Sequence, residues 1–199
     1  NTKRRNYIFN LFFFYLFAQS RRFSIPVSVA GALAYGFSSY YIIILMVGHN
    51  TKAMTLAYAP LVFLGLFQVL IDRKKWGILW LTLGLALQLH ANHLQMTYYT
   101  LVMMFITTLM WSIHTGFKRG ISNTLKPVAT LLIAGMLALV LNAQNVLATL
   151  DYTKFSTRGA SELTLNPDGT DKVASDGLSF DYITSYSYGI LESMTFISP

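Results

Sequence analysis

The chain has 199 residues, of which 54% are hydrophobic and only 12% charged, with a formal net charge of +7 and no cysteine. A soluble domain carries about 25% charged residues, so this composition excludes an ordinary soluble protein. The missing cysteines exclude a disulfide framework and thiol chemistry. The positive charge lies in short loops between apolar runs rather than along one basic face, so nucleic acid is not the expected partner.

Six apolar segments follow in chain order. Segment A is Tyr7–Ala18, short and either cut or re-entrant. Segment B is Ile25–Val47, with Pro26 at its start, where a missing N–H costs little. Within B, Ala32 and Gly36 are four apart, as are Ala30 and Ala34, a spacing that lets membrane helices approach closely. Segment C is Ala53–Ile71, with Pro60 expected to kink it. Segment D is Trp76–Leu89, extending toward His93, and segment E is Thr97–Ile113. Segment F is Pro127–Leu150. Segments C and F lack any charged residue over about 20 residues, the length that crosses a hydrocarbon core as a helix. Trp76, Trp80 and Trp111 lie near segment ends, as interfacial aromatics do. The pattern predicts an all-α polytopic membrane protein with about five to six transmembrane helices. Residues 1–150 form the membrane domain, and 151–199 form an irregular extracytoplasmic segment. The chain starts at Asn1 and stops at Pro199, and it reads as an internal piece of a larger protein.

Basic residues set the orientation. Arg21, Arg22, Arg73, Lys74, Lys75, Lys118, Arg119 and Lys126 occupy alternate loops, while the opposite short loops hold Lys52 alone. The eight-to-one split puts the basic loops in the cytoplasm and places residues 48–52, 89–96 and 151–199 outside. Lys3, Arg4 and Arg5 resist this pattern if segment A spans.

Three polar groups fall on that outer side. "GHNTKAM" places His49, Asn50, Thr51 and Lys52 in one turn, equally readable as a solvated turn. "LQLHANHLQMTYY" holds His90, Asn92, His93 and Gln95; on a helix His90 and His93 share a face. Two imidazoles with no acid or cysteine beside them do not make a metal site, so no ligand cluster supports a divalent metal, and no cofactor is expected. The competing reading of this stretch is a hydrogen-bonded cap between two helices. The third group begins "YTKFSTRGASEL", where Lys154 and Arg158 suit a phosphate or an ordinary membrane interface. The aspartate spacing of residues 166–177 does not match an EF-hand loop. "FDYITSYSYGILES" mixes acids with aromatic rings, which suits a sugar-like ligand or a packed lid.

"GALAYGFSSYYIIILMVGHNTKAMTLAYAPLV", "HANHLQMTYY", "FSTRGASELTLNPDG" and "DYITSYSYGILES" together resemble the YfhO-like membrane proteins, in the large form found in Bacteroidetes-type bacteria. The resemblance runs from about Phe23 to Pro199. It implies a GT-C type architecture in the bacterial inner membrane. It further implies transfer of a sugar from a polyprenyl-phosphate carrier to a cell-envelope glycopolymer or protein at the outer face, in contact with membrane lipids. The catalytic acid is then expected upstream of this segment. His49, Asn50, Lys52, His90, Asn92, His93 and Arg158 are the expected contacts to sugar and lipid phosphate. A transporter and a non-enzymatic envelope assembly scaffold are the rival readings. Against the transporter, no Asp or Glu lies in any apolar segment, where coupled carriers often use one.

Overall fold

A computed structural model describes residues 2–153 and 180–185, and every element among them is helical. The chain divides into two compact units, residues 1–146 and 147–199. In the first lie α1 (Thr2–Ser20), α2 (Ile25–Gly36), α3 (Ser39–Met46), α4 (Asn50–Leu70), α5 (Gly77–His90), α6 (Leu94–Arg119) and α7 (Ser122–Leu141). Helix α8 (Ala143–Thr153) runs across the division, and α9 (Phe180–Thr184) belongs to the second unit. Helices α4, α6 and α7 are long and apolar enough to cross a membrane, and α2 with α3 makes a fourth candidate if the bent pair is one span. At 14 residues, α5 is apolar but short. Helix α1 is excluded by composition, since Lys3, Arg4 and Arg5 open it.

The first unit is built around α4. Two-thirds of its apolar stretch is buried, against 11% for α6 and 28% for α7. Segment C therefore starts earlier than its hydropathy suggests, at Asn50, and the helix continues through the buried Pro60. The closest packing is between α4 and α5, where glycines on both helices remove the side chain at the contact. A Cβ on Gly84 would lie 2.9 Å from the Val62 backbone nitrogen, and one on Gly77 2.8 Å from that of Val69. Gly65 abuts the backbone of Leu81. Around this seam Val62, Leu66, Val69, Leu70, Leu81 and Leu85 form the core, joined by Leu131, Ala134 and Ala138 of α7.

Segment A is one continuous helix that runs parallel to α4 along its length. Phe9 and Phe13 meet Tyr58, Phe17 meets Phe67, and Arg21 pairs with Asp72. A re-entrant turn in A is thereby ruled out. Lys3, Arg4 and Arg5 start α1 at the end where Lys52 starts α4, so the eight-to-one charge split becomes eight to four. Segment B is broken. Gly36 ends α2, Ser38 caps α3 by accepting a hydrogen bond from the Tyr41 N–H at 3.4 Å, and the two helices meet at 41°. The small-residue reading of B holds for one stripe: Ser28, Ala32 and Gly36 are buried, whereas Ala30 and Ala34 are exposed. Segment F is also interrupted, at Asn142, and so is not one span to Leu150. The Asn142 Nδ2 donates to the carbonyls of Ala86 and Ala138, both at 3.0 Å. Such side-chain bonds compete with the helical ladder.

Each connection between antiparallel segments contains one residue at positive φ: Arg22, Gly48, Arg73, Asn92 and Gly120. These left-handed residues reverse the chain in a few positions. Three of the turns gather the basic end, where the Arg73 guanidinium donates to the Asn123 carbonyl at 3.0 Å and lies 5.0 Å from the Trp111 ring centre.

The glycine seam sets a clear contrast. Gly84→Leu forces α4 and α5 apart and should cost about 1–3 kcal/mol. Gly116→Ala, where nothing lies within 4 Å of the added carbon, should change stability by no more than about 1 kcal/mol, in the stabilising direction. Reversible unfolding in mild detergent measures both.

Candidate functional site

Two of the three polar groups expected on one face, those of residues 48–52 and 90–95, lie at one end of the first unit, away from the end that holds Arg21, Asp72, Arg73 and Asn123. Helix α4 begins there because Gly48, at φ +85°, turns the chain after α3. His49 is the residue before α4 and is exposed, with no side-chain cap bond to the helix. Asn50 is half-buried and its Oδ1 is buried without a partner. The Lys52 ammonium lies 5.3 Å from the centre of the Tyr40 ring, which fixes the cation beside α3.

His90 and His93 do not share a helical face. Helix α5 ends at His90, Asn92 takes φ +54°, and α6 starts after His93. A left-handed asparagine breaks the spacing rule that a continuous helix would obey. His90 and Asn92 are exposed. His93 is the N-cap of α6: its Nδ1 accepts from the Met96 N–H at 3.4 Å, and its carbonyl accepts from the N–H groups of Met96 and Thr97 at 3.0 and 3.2 Å. The imidazole here takes the place of the Ser, Thr, Asn or Asp that helix starts prefer. Nearby, the Gln95 Nε2 donates to the Tyr99 hydroxyl at 2.9 Å on the exposed side.

Beneath the two turns a buried polar link joins three helices. The Gln88 Nε2 donates to the Thr55 carbonyl and to the Thr100 hydroxyl, both at 3.1 Å, and the Thr100 hydroxyl donates to the Met96 carbonyl at 3.0 Å. Gln88 and Thr55 are fully buried. The link pins the start of α4 to the end of α5 and the start of α6, and so brings the 48–52 and 90–93 turns to one level.

A cavity of about 610 Å³ lies lower, between α5, α6 and α7. Leu89, Leu101, Met104, Phe105 and Leu132 are among its walls, and none of the six candidate residues that the structure describes lines it. A smaller one of about 340 Å³ between α1 and α2 is lined by residues such as Ile8, Phe12 and Val29. Among the described residues no group of His, Cys, Asp or Glu side chains is placed to hold a metal ion. Lys154, Arg158 and residues 166–177 lie outside the described residues, as does most of 180–193.

Helix α1 adds residues to this end that hydropathy reading passed over. Arg5 reaches the Met54 sulfur at 3.9 Å, and Asn6 and Asn10 are fully buried one turn apart. The signal was available: two asparagines at i, i+4 in an aromatic run mark one polar face. The arrangement offers the exposed Arg5, His49 and His90, with Lys52 and His93 half-buried, over a floor of uncharged donors and acceptors. No family model, curated protein or solved structure matches the chain.

His93 separates a helix cap from a ligand contact. His93→Ala should cost about 0.5–2 kcal/mol, and His93→Asn should restore most of it, because asparagine caps equally well. Thermal unfolding of both variants in detergent checks this.

Proposed function

We propose that this chain is part of a multi-pass membrane glycosyltransferase that takes a sugar from a polyprenyl-phosphate carrier and passes it to a cell-envelope acceptor outside the cytoplasm. The observation that carries the reading is the gathering of His49, Asn50, Lys52, His90, Asn92 and His93 at one end of the helices, with Arg5 beside them. This placement suits a hydrated, phosphate-linked sugar held at the membrane surface. The family resemblance supplies the reaction class. The full complement is five or six spans: the short α5 crosses the bilayer with α4, α6, α7 and the bent α2–α3 pair, and α1 makes a sixth if the basic residues at its start stay at the membrane surface. The basic turns face the cytoplasm of a bacterial inner membrane, and the histidine turns face outward.

In the proposed reaction a carboxylate general base takes the proton of the acceptor hydroxyl as that oxygen attacks the anomeric carbon. The bond from the anomeric carbon to the carrier phosphate breaks, and the phosphate leaves with the electron pair. Lys52 and Arg158 oppose the charge that grows on the departing phosphate. His49, Asn50, His90 and Asn92 orient sugar and phosphate oxygens, and His93 holds the start of α6 in register.

One observation favours transport as a second reading. Discontinuous spans such as α2–α3 surround substrate sites in many carriers. Uptake of a labelled solute into proteoliposomes, with no carrier-phosphate release, would select it.

Two measurements test the first reading. Cysteines placed singly at His49 and Asn92 should react with a membrane-impermeant maleimide added outside, and those at Lys74 and Lys118 only after permeabilisation. The reverse pattern sinks the orientation. In nanodiscs, a polyprenyl-phosphate-linked labelled sugar should bind the protein and release carrier phosphate. Lys52→Ala and Arg158→Ala should each weaken donor binding about tenfold, the loss of roughly 1.4 kcal/mol from a charge-assisted contact. Unchanged donor binding in both variants removes them from the phosphate site.

A further inference from the structure

Four of the seven buried side-chain polar atoms that lack a hydrogen-bond partner among the described residues belong to three asparagines at one place: Asn6 Oδ1, Asn10 Oδ1, Asn10 Nδ2 and Asn50 Oδ1. The other three are scattered over Gln68, Thr82 and Gln88. Asn6 and Asn10 have no solvent exposure at all. Unpaired polar atoms in an interior are costly, and natural structures satisfy nearly all of them with protein or with ordered water. A cluster of four therefore marks a site rather than an accident of packing.

Its location is the break between α2 and α3. The Tyr41 hydroxyl donates to the Asn6 carbonyl at 3.0 Å and stands 3.3 Å from the Ala53 carbonyl. The Asn6 Nδ2 reaches the Asn50 carbonyl at 3.5 Å. The Asn10 Nδ2 lies 3.9 Å from the position a Cβ would take on Gly36, the last residue of α2. The site thus touches α1, the broken span and the start of α4.

The chemistry of the four atoms selects the ligand. Three are acceptors and one is a donor, and none is charged. An anion is disfavoured by three carbonyl oxygens. A cation is disfavoured because no acid among the described residues is seen beside the cluster, Asp72 being at the opposite end, and because the Arg5 guanidinium follows the same helix turn. We propose that Asn6, Asn10 and Asn50 form an internal hydroxyl-binding site, occupied by water or by the hydroxyl of a polyol, at the hinge of the bent span. The bound oxygen accepts from the Asn10 amide and donates to the carbonyl oxygens beside it, to one from a polyol hydroxyl and to two from water. The site stands independently of the sugar-transfer reading.

The test is a structure of the protein in nanodiscs at a resolution that shows ordered oxygens, with and without glycerol. The expected result is an oxygen peak within about 3.2 Å of both Asn10 and either Asn6 or Asn50. A peak unchanged by glycerol assigns water, and a peak replaced by a chain of glycerol density assigns a polyol hydroxyl. A dry cluster in both samples overturns the proposal. Hydroxyl-radical labelling in ¹⁸O water gives a second measurement that needs no variant. Tyr41, only 2% exposed, should take up label from an internal oxygen, and its complete protection counts against the site. In Asn10→Leu the peak and the Tyr41 label should both be lost; a peak that persists at full height shows that Asn10 does not hold it.

Discussion

The first unit depends on how closely α4 and α5 approach. Gly65, Gly77 and Gly84 let one backbone rest on the other. Lipid tails are as apolar as leucine, so helices in a membrane gain little by hiding apolar surface from them. Close contact between backbones, with its many small dispersion terms, takes over that role. Once α5 lies on α4, α7 packs along the same seam through Leu131, Ala134 and Ala138, and α1 takes the other side of α4. Helix α6 then touches the assembly through Thr100, which meets Gln88, and through Met104 and Trp111, and leaves most of its apolar surface outward.

Polar residues in this apolar bundle fall into two kinds. Some close the structure. Gln88 ties three helices, Asn142 stops α7 and binds back to α5, and His93 begins α6. Others have capacity to spare, chiefly the asparagines of α1 and, above them, Arg5, His49 and His90. Chemistry is to be sought among the second kind, because a group already committed to the backbone has little to offer a substrate. His93 shows how one side chain can move between these kinds on geometry alone.

Much of the architecture was legible as periodic hydropathy. Segments C, D and E became α4, α5 and α6, since runs bounded by Gly48, Arg73 and Asn92 have both the length and the turn residues of helices. The breaks at Gly36–Ser38 and Asn142 were not, because the residues around them are as apolar as those in an unbroken span. Local side-chain hydrogen bonds made the difference, and hydropathy averages over them. The common placement of the two histidine turns was legible from charge alternation. The contribution of α1 was not, since its path alongside α4 depends on a contact between residues more than 40 positions apart. The i, i+3 reading of His90 and His93 failed because it assumed a helix where Asn92 is left-handed.

The parallel run of α1 and α4 has a bearing on biogenesis. A chain made from its N-terminus brings out α1 with Asn6 and Asn10 on one face and the basic triplet at its start. The neighbours that bury those asparagines, Tyr41 and Asn50 among them, are synthesised more than 30 residues later. Until then the helix is poorly suited to lipid, because amides find no partners among acyl chains. In a membrane, α1 would gain partners for those amides only once the bent α2–α3 pair and α4 had been made.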